Sequence, residues 1–321
     1  MMGSARSIVV TGGSCGYNDF AMNGEIPAAF RIHLAVDGSE HSLAATQLVR
    51  DLRLPPGSEI TILGVLTPGR PPGKSRLQAA CAKAEKILKG SPLEIKSKLL
   101  HGHAAKKIIE YGSKHRPDLM AIGAKGLYPV LKILLGSTAY KVVENARWPV
   151  LVMRTPYRGL RRVLLATDGS ENSRQAAQYL ARFPLPEQTE LQVLHVKSLF
   201  PSMPAPAYGM RPLTPPIPFM LSMMPSPAEL QYVSRHTELA EQKGQTILAE
   251  TKTILQSAIR EATTFLRQGD PATEILEHSE AQDIDLIVVG PRGLKGLEAR
   301  GWDSVSRKLV DYANSSVLFV R

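Results

Sequence analysis

Cysteine is nearly absent from this chain: Cys15 and Cys81 are its only two among 321 residues. Two thiols cannot staple a secreted scaffold, and no metal-ligand spacing surrounds them, so a reducing cytoplasm is the expected setting. Aromatic residues are scarce at 6%, which leaves little with which to stack nucleic-acid bases. Long apolar runs are missing as well, and nothing approaches the ~20 residues that cross a bilayer. The opening segment, Met1 to Val10 with Arg6 as its only charge, lacks the basic-then-apolar order of an export leader. A membrane channel, a disulfide-rich secreted domain and a zinc module are therefore not expected.

Positive charge, by contrast, is abundant. The net formal charge is +10, and twelve lysines and arginines between Arg70 and Arg116 face only Glu85, Glu94 and Glu110. Such a field attracts anions. No aromatic residue interleaves with it before Tyr111, and the lysines suit the solvent faces of amphipathic helices, so nucleic acid is not the expected partner.

The strongest organisational signal is internal repetition. Asp37-Gly-Ser-Glu-His-Ser42 matches Asp168-Gly-Ser-Glu-Asn-Ser173 at an offset of 131, as Val65 matches Val196. Gly102 and Gly269, and Gly123 and Gly290, match at 167. The second copy has therefore gained 36 residues after its second strand. Residues 199–228 account for most of them, with nine prolines, five methionines and Arg211 as the only charge. That many prolines forbid a regular helix or central strand, so a loop that drapes over the protein or grips a partner is expected. No His or Cys joins the methionines to make a copper site, and flexible packing is their simpler role.

Within each copy strand and helix patterns alternate. Strands are predicted near 31–37, 59–66, 93–100, 118–123 and 149–154, and again near 162–167, 189–197, 262–267, 284–290 and 316–321. Helices are predicted near 40–53, 75–90, 103–116 and 136–146, with a longer one over 228–259. This alternation predicts an α/β protein with two tandem doubly wound parallel sheets, a covalent pseudo-dimer. The expected divisions are a flexible tail (1–30), a first domain (31–155) and a second (160–321) carrying the insertion. The terminal strands 149–154 and 316–321 have edges that can pair with each other or join two chains.

After the fourth strand the first copy reads Gly123-Ala-Lys125-Gly126, nine residues, then Gly136-Ser137-Thr138. The motif leaves a strand's carboxyl end and closes on a helix amino end, where free N–H groups and the dipole receive phosphate. Gly123, Gly126 and Gly136 let main chain approach a ligand, and the hydroxyls of Ser137 and Thr138 can donate to phosphate oxygens. Asp37 ends the first strand across the topological switch point, where a carboxylate suits an adenine amino group or ribose hydroxyls.

Asp37 in Val-Asp-Gly-Ser, Val65 after the second strand and the glycine pattern over 123–137 together resemble a universal stress protein domain of the ATP-binding kind. The resemblance runs twice, from about residue 31 to 321. It implies five parallel strands per domain in the order 3-2-1-4-5, an adenine nucleotide alpha-hydrolase-like fold. It also implies ATP, or AMP in some members, as ligand, with Mg2+ where a triphosphate is held. Asp37 and Val65 would contact the adenosine part; Gly123, Lys125, Gly126, Gly136, Ser137 and Thr138 would hold ribose and phosphates. The implied function is a nucleotide-dependent stress-response regulator with little or no catalysis.

The second copy departs from this pattern. Gly290-Pro-Arg292-Gly293 is followed by Asp303-Ser304 where Gly136-Ser137 stands in the first. An aspartate places negative charge where phosphate would dock. Asp168 and Val196 are retained, so Asp168, Val196, Gly290, Arg292, Gly293 and Ser304 form a degenerate second site.

Three look-alikes fail on spacing or context. Gly73-Lys74-Ser75 resembles the end of a P-loop, but the glycine required five positions earlier is Pro68. Gly12 to Gly16 spells a nucleophile elbow without a helix pattern after it. His101 and His103 lack a third ligand nearby. Two alternatives stay open: an ATP-hydrolysing or adenylyl-transferring enzyme on the same fold, or an interaction scaffold using the Pro/Met-rich loop. Turnover well above a slow basal level would favour the first; lost partner binding on deleting 199–228 would favour the second.

Overall fold

The computed structural model describes residues 29–69, 73–90, 93–126, 135–197, 227–256, 261–290 and 304–321. The first-copy elements are β1 (Arg31–Ala35), α1 (Glu40–Asp51), β2 (Glu59–Leu66), α2 (Lys74–Leu88), β3 (Glu94–His101), α3 (Ala104–His115), β4 (Leu119–Gly123), α4 (Ser137–Asn145) and β5 (Val150–Met153). The second copy contributes β6 (Arg162–Thr167), α5 (Glu171–Arg182), β7 (Glu190–Lys197), α6 (Pro227–Gln256), β8 (Ala262–Gln268), α7 (Pro271–Ala281), β9 (Leu286–Val289), α8 (Ser304–Tyr312) and β10 (Ser316–Phe319). The predicted tail up to 28, the Pro/Met-rich segment up to 226 and the elbow look-alike lie outside the described residues, while Phe30, expected in that tail, is buried in the core.

The central strands are short runs of Val, Ile and Leu buried on both faces, as parallel strands between helix layers must be. Residues of β4, β5, β9 and β10 are almost entirely enclosed. β3 alternates exposed lysines with half-buried apolar residues and pairs only with β2 among the described strands, an edge whose lysines discourage further pairing. Helix starts follow their caps: the Ser42 amide donates to Ser39 Oγ at 3.2 Å, and Asp270 receives Thr273 N just before Pro271.

Each copy has the order β3-β2-β1-β4-β5, or its equivalent, with all neighbours parallel. The two sheets do not stay separate. β5 and β10 pair antiparallel, Val152 opposite Val317 and Leu151 opposite Leu318, giving one ten-stranded sheet. One apolar layer unites α1, α2, α5 and α6 on one face, and another unites α3, α4, α7 and α8 on the other. No helix among the described residues is long and apolar enough to cross a membrane.

Candidate functional site

β1 and β4 lie side by side with their partners on opposite flanks, so the chain leaving their carboxyl ends diverges and opens a crevice. Asp37 follows β1. Its Oδ1 accepts the Ser39 amide at 2.9 Å, which fixes the turn and leaves the carboxylate facing the β4 loop. A Cβ added to Gly126 would lie 2.9 Å from Asp37 Oδ2. A side chain at Gly126 would push the carboxylate aside, so glycine lets main chain and carboxylate stand this close.

The far wall is the start of α4. Gly136 is its cap residue, and its amide donates to the Ala124 carbonyl at 2.8 Å, pinning the helix to the β4 loop. Among the described residues no side chain caps α4, in contrast to α1 and α5. Its first turn carries exposed Ser137 and half-buried Thr138, and the amides of a helix start are natural donors to an external acceptor. Among the described residues α2 and α3 also lack a side-chain cap, but it is the start of α4 that adjoins the glycine loop, a Cβ on Gly136 lying 3.7 Å from the Gly126 nitrogen. Val65 is half-buried against the same apolar layer as α4.

Gly123 has a different setting. A Cβ there would lie 2.8 Å from the His41 Cβ and 2.9 Å from both the His41 carbonyl carbon and the Ser42 nitrogen. Its missing side chain admits the first turn of α1. Gly290 does the same in the second copy, with the Asn172 carbonyl oxygen 2.5 Å from its would-be Cβ.

Three further side chains stand near the crevice. Ser39 Oγ donates to the Lys125 carbonyl at 3.2 Å, tying the α1 cap to the glycine loop. Burial, and next to it the charge of Arg154, lowers the Lys125 ammonium below its ordinary range. Burial also lowers the His41 imidazole, with Arg154 and Lys125 adding to the effect against a bond to the Met153 main chain. Spacing alone did not single out Ser39, His41 or Arg154. Arg154 does carry a signal in the sequence, since Arg321 follows it at the repeat offset of 167.

In the second copy Asp168 repeats the turn, its Oδ1 accepting the Ser170 amide at 2.9 Å. Burial raises this carboxyl, but bonds from Ser170 and Ser173 outweigh it and hold the group below its usual range. Val196 is half-buried and Ser304 opens α8 exposed. Arg292, Gly293 and Asp303 lie outside the described residues. Among the described residues no three His, Cys, Asp or Glu side chains converge as metal ligands.

A carboxylate beside a glycine-led helix start at the switch point, in a chain of two like halves, defines an α/β protein of duplicated design. The Universal stress protein family model matches residues 29–154, 159–217 and 219–321, and the chain belongs to that family. Universal stress protein YxiE of Bacillus subtilis is 28% identical over 160 residues, 50% of this chain and 98% of that one. A universal stress protein of Thermus aquaticus is 31% identical over 134 residues, 38% of this chain and 97% of its own. One from Methanocaldococcus jannaschii is 36% identical over 83 residues, so the match spans 26% of this chain and about half (49%) of that relative. The fold is shared with a solved universal stress protein of Archaeoglobus fulgidus, at a TM-score of 0.56 and 18% identity, covering 91% of this chain and 98% of the other.

Proposed function

We propose that the first copy binds an adenine nucleotide, ATP or AMP, between β1 and β4, and that occupancy sets the shape or partner choice of the tandem unit in a stress response. The observation that carries this reading is the close approach of Gly126 to Asp37 opposite the uncapped start of α4. Phosphate would meet main-chain donors of α4 and the glycine loop, with Lys125 supplying positive charge. Asp37 would accept from ribose or the adenine amino group. Magnesium would come with the phosphates, because the described residues offer no ligand cluster of their own. Little or no catalysis is part of this reading: the role is binding and response, since a ligand shifts only states that it binds differently.

The test is calorimetry with Mg-ATP and mass spectrometry of small molecules released from denatured protein. About one nucleotide per chain is expected, lost in Gly126→Val and kept in the second-copy counterpart Gly293→Val. No uptake at millimolar nucleotide would overturn the proposal.

A further inference from the structure

The last strands of the two copies are each followed by an arginine, Arg154 after β5 and Arg321 after β10. Their side chains cross the seam in opposite directions. Arg154 Nη2 donates to the Val310 carbonyl in α8, and Arg321 Nη2 donates to the Val143 carbonyl in α4. All four positions repeat at 167: Arg154 with Arg321, Val143 with Val310.

The accepting carbonyls are equivalent too. At the end of α4 the Ala146 amide bonds the Val142 carbonyl at 2.8 Å; at the end of α8 the Ala313 amide bonds the Leu309 carbonyl at 2.9 Å. Each arginine takes the next carbonyl along, one of the acceptors that a helix end leaves without an intrahelical donor. A guanidinium there also meets the negative end of the helix dipole. The helices so held are the ones whose first turns open the two clefts: α4 begins at Gly136–Ser137 and α8 at Ser304. Main-chain bonding reinforces the crossing, since the Arg154 amide donates to Ser316 Oγ at 3.1 Å.

We propose that Arg154 and Arg321 are crossed positioning residues, each leaving its own copy to fix the helix that opens the other copy's cleft. The first cleft is then complete only with the second copy in place. The effect on ligand binding rests on the nucleotide reading above, whereas the crossed capping does not.

Hydrogen exchange on the full chain without nucleotide tests the capping, and calorimetry with Mg-ATP tests its use. Arg321→Gln should speed exchange at the carboxyl end of α4 about five-fold and leave α8 unchanged, in line with a charge at a helix end. Arg154→Gln should do the reverse, and Arg321→Lys should restore most of the protection. Nucleotide affinity should fall about two- to five-fold in Arg321→Gln and recover in Arg321→Lys. Loosening confined to the arginine's own copy, equal loosening of both helices, or no change would overturn the proposal. Crossed exchange with unchanged affinity would overturn the claim that the cap serves the cleft. Crossed exchange in a protein that takes up no nucleotide would support the capping and defeat the nucleotide reading instead.

Discussion

At the level of single residues, glycine acts in two ways around the β4 loop, and the sequence alone does not separate them. Gly126 makes room for a carboxylate, whereas Gly123 and Gly290 make room for a helix turn. The motif spacing pointed to all of them together because both needs fall at the same strand end. Gly123→Ala and Gly290→Ala should each cost about 1–3 kcal/mol of stability through overpacking, whether or not nucleotide is present. Urea denaturation would show this, and wild-type midpoints in both variants would contradict it. His33 carries a second residue-scale prediction. Burial, then the charge of His115, lowers its imidazole to about 4, with Glu59 opposing and Arg31 adding slightly. Above pH 6.5 the ring is neutral in folded and unfolded chains alike. Between about 6.5 and 4 the unfolded chain takes a proton that the folded one refuses, so stability falls as pH falls, by at most roughly 3 kcal/mol. The second copy places Leu164, fully buried, at the equivalent position. His33→Leu should therefore fold and show a flatter stability profile between pH 7 and 5; an unchanged slope would assign the acid sensitivity elsewhere.

At the level of elements, strand and helix positions were legible because buried strands read as apolar runs and helices carry caps at their starts. Ends moved by a residue or two: the helix expected over 75–90 runs over Lys74–Leu88. What periodicity could not show is how the two copies fill the same space with different side chains. In the first, Gly64 of β2 lies beneath Leu77 of α2 and next to Leu99 of β3, at 3.2 and 3.3 Å from its would-be Cβ. In the second, the equivalent strand residue is His195 and the equivalent helix residue is Gly244, against Leu266. Bulk has changed sides between strand and helix. A Cβ on Gly244 would lie 2.7 Å from Leu266 Cδ1 and 3.2 Å from His195 Cδ2. Gly244→Leu should thus destabilise by about 2 kcal/mol net, since overpacking of up to ~3 kcal/mol outweighs the ~1 kcal/mol gained by removing a mid-helix glycine. Adding His195→Gly should recover at least half of that loss, because the double variant copies the first half's arrangement. Additive losses in a denaturation cycle would show that the exchange of bulk is not a coupled one.

At the level of the whole molecule, repetition in the sequence announced two copies but left their junction open, since either terminal strand edge could equally have served a second chain. Pairing of β5 with β10 closes both edges within one chain. Side chains then cross the seam on the face that α1 and α5 cover. Tyr157 Oη donates to Asp51 Oδ2 at 2.7 Å, Tyr179 Oη donates to the Asp118 carbonyl at 2.9 Å, and the Phe30 ring meets Phe183 edge-on with centroids 6.3 Å apart. Because each apolar layer runs through both copies, neither has a core whose loss the other would not feel. The chain should therefore unfold as one cooperative unit despite its two-copy design. Leu318→Ala removes a fully buried side chain from β10 opposite Leu151, at a cost of about 2–5 kcal/mol. Its urea transition should stay single, with a lower midpoint and an unchanged slope. Hydrogen exchange should show protection falling in β1 and β2 of the first copy as much as in β9 and β10. Protection lost in the second copy alone, with β1 and β2 at wild-type values, would mean that the halves are merely joined and do not share a core.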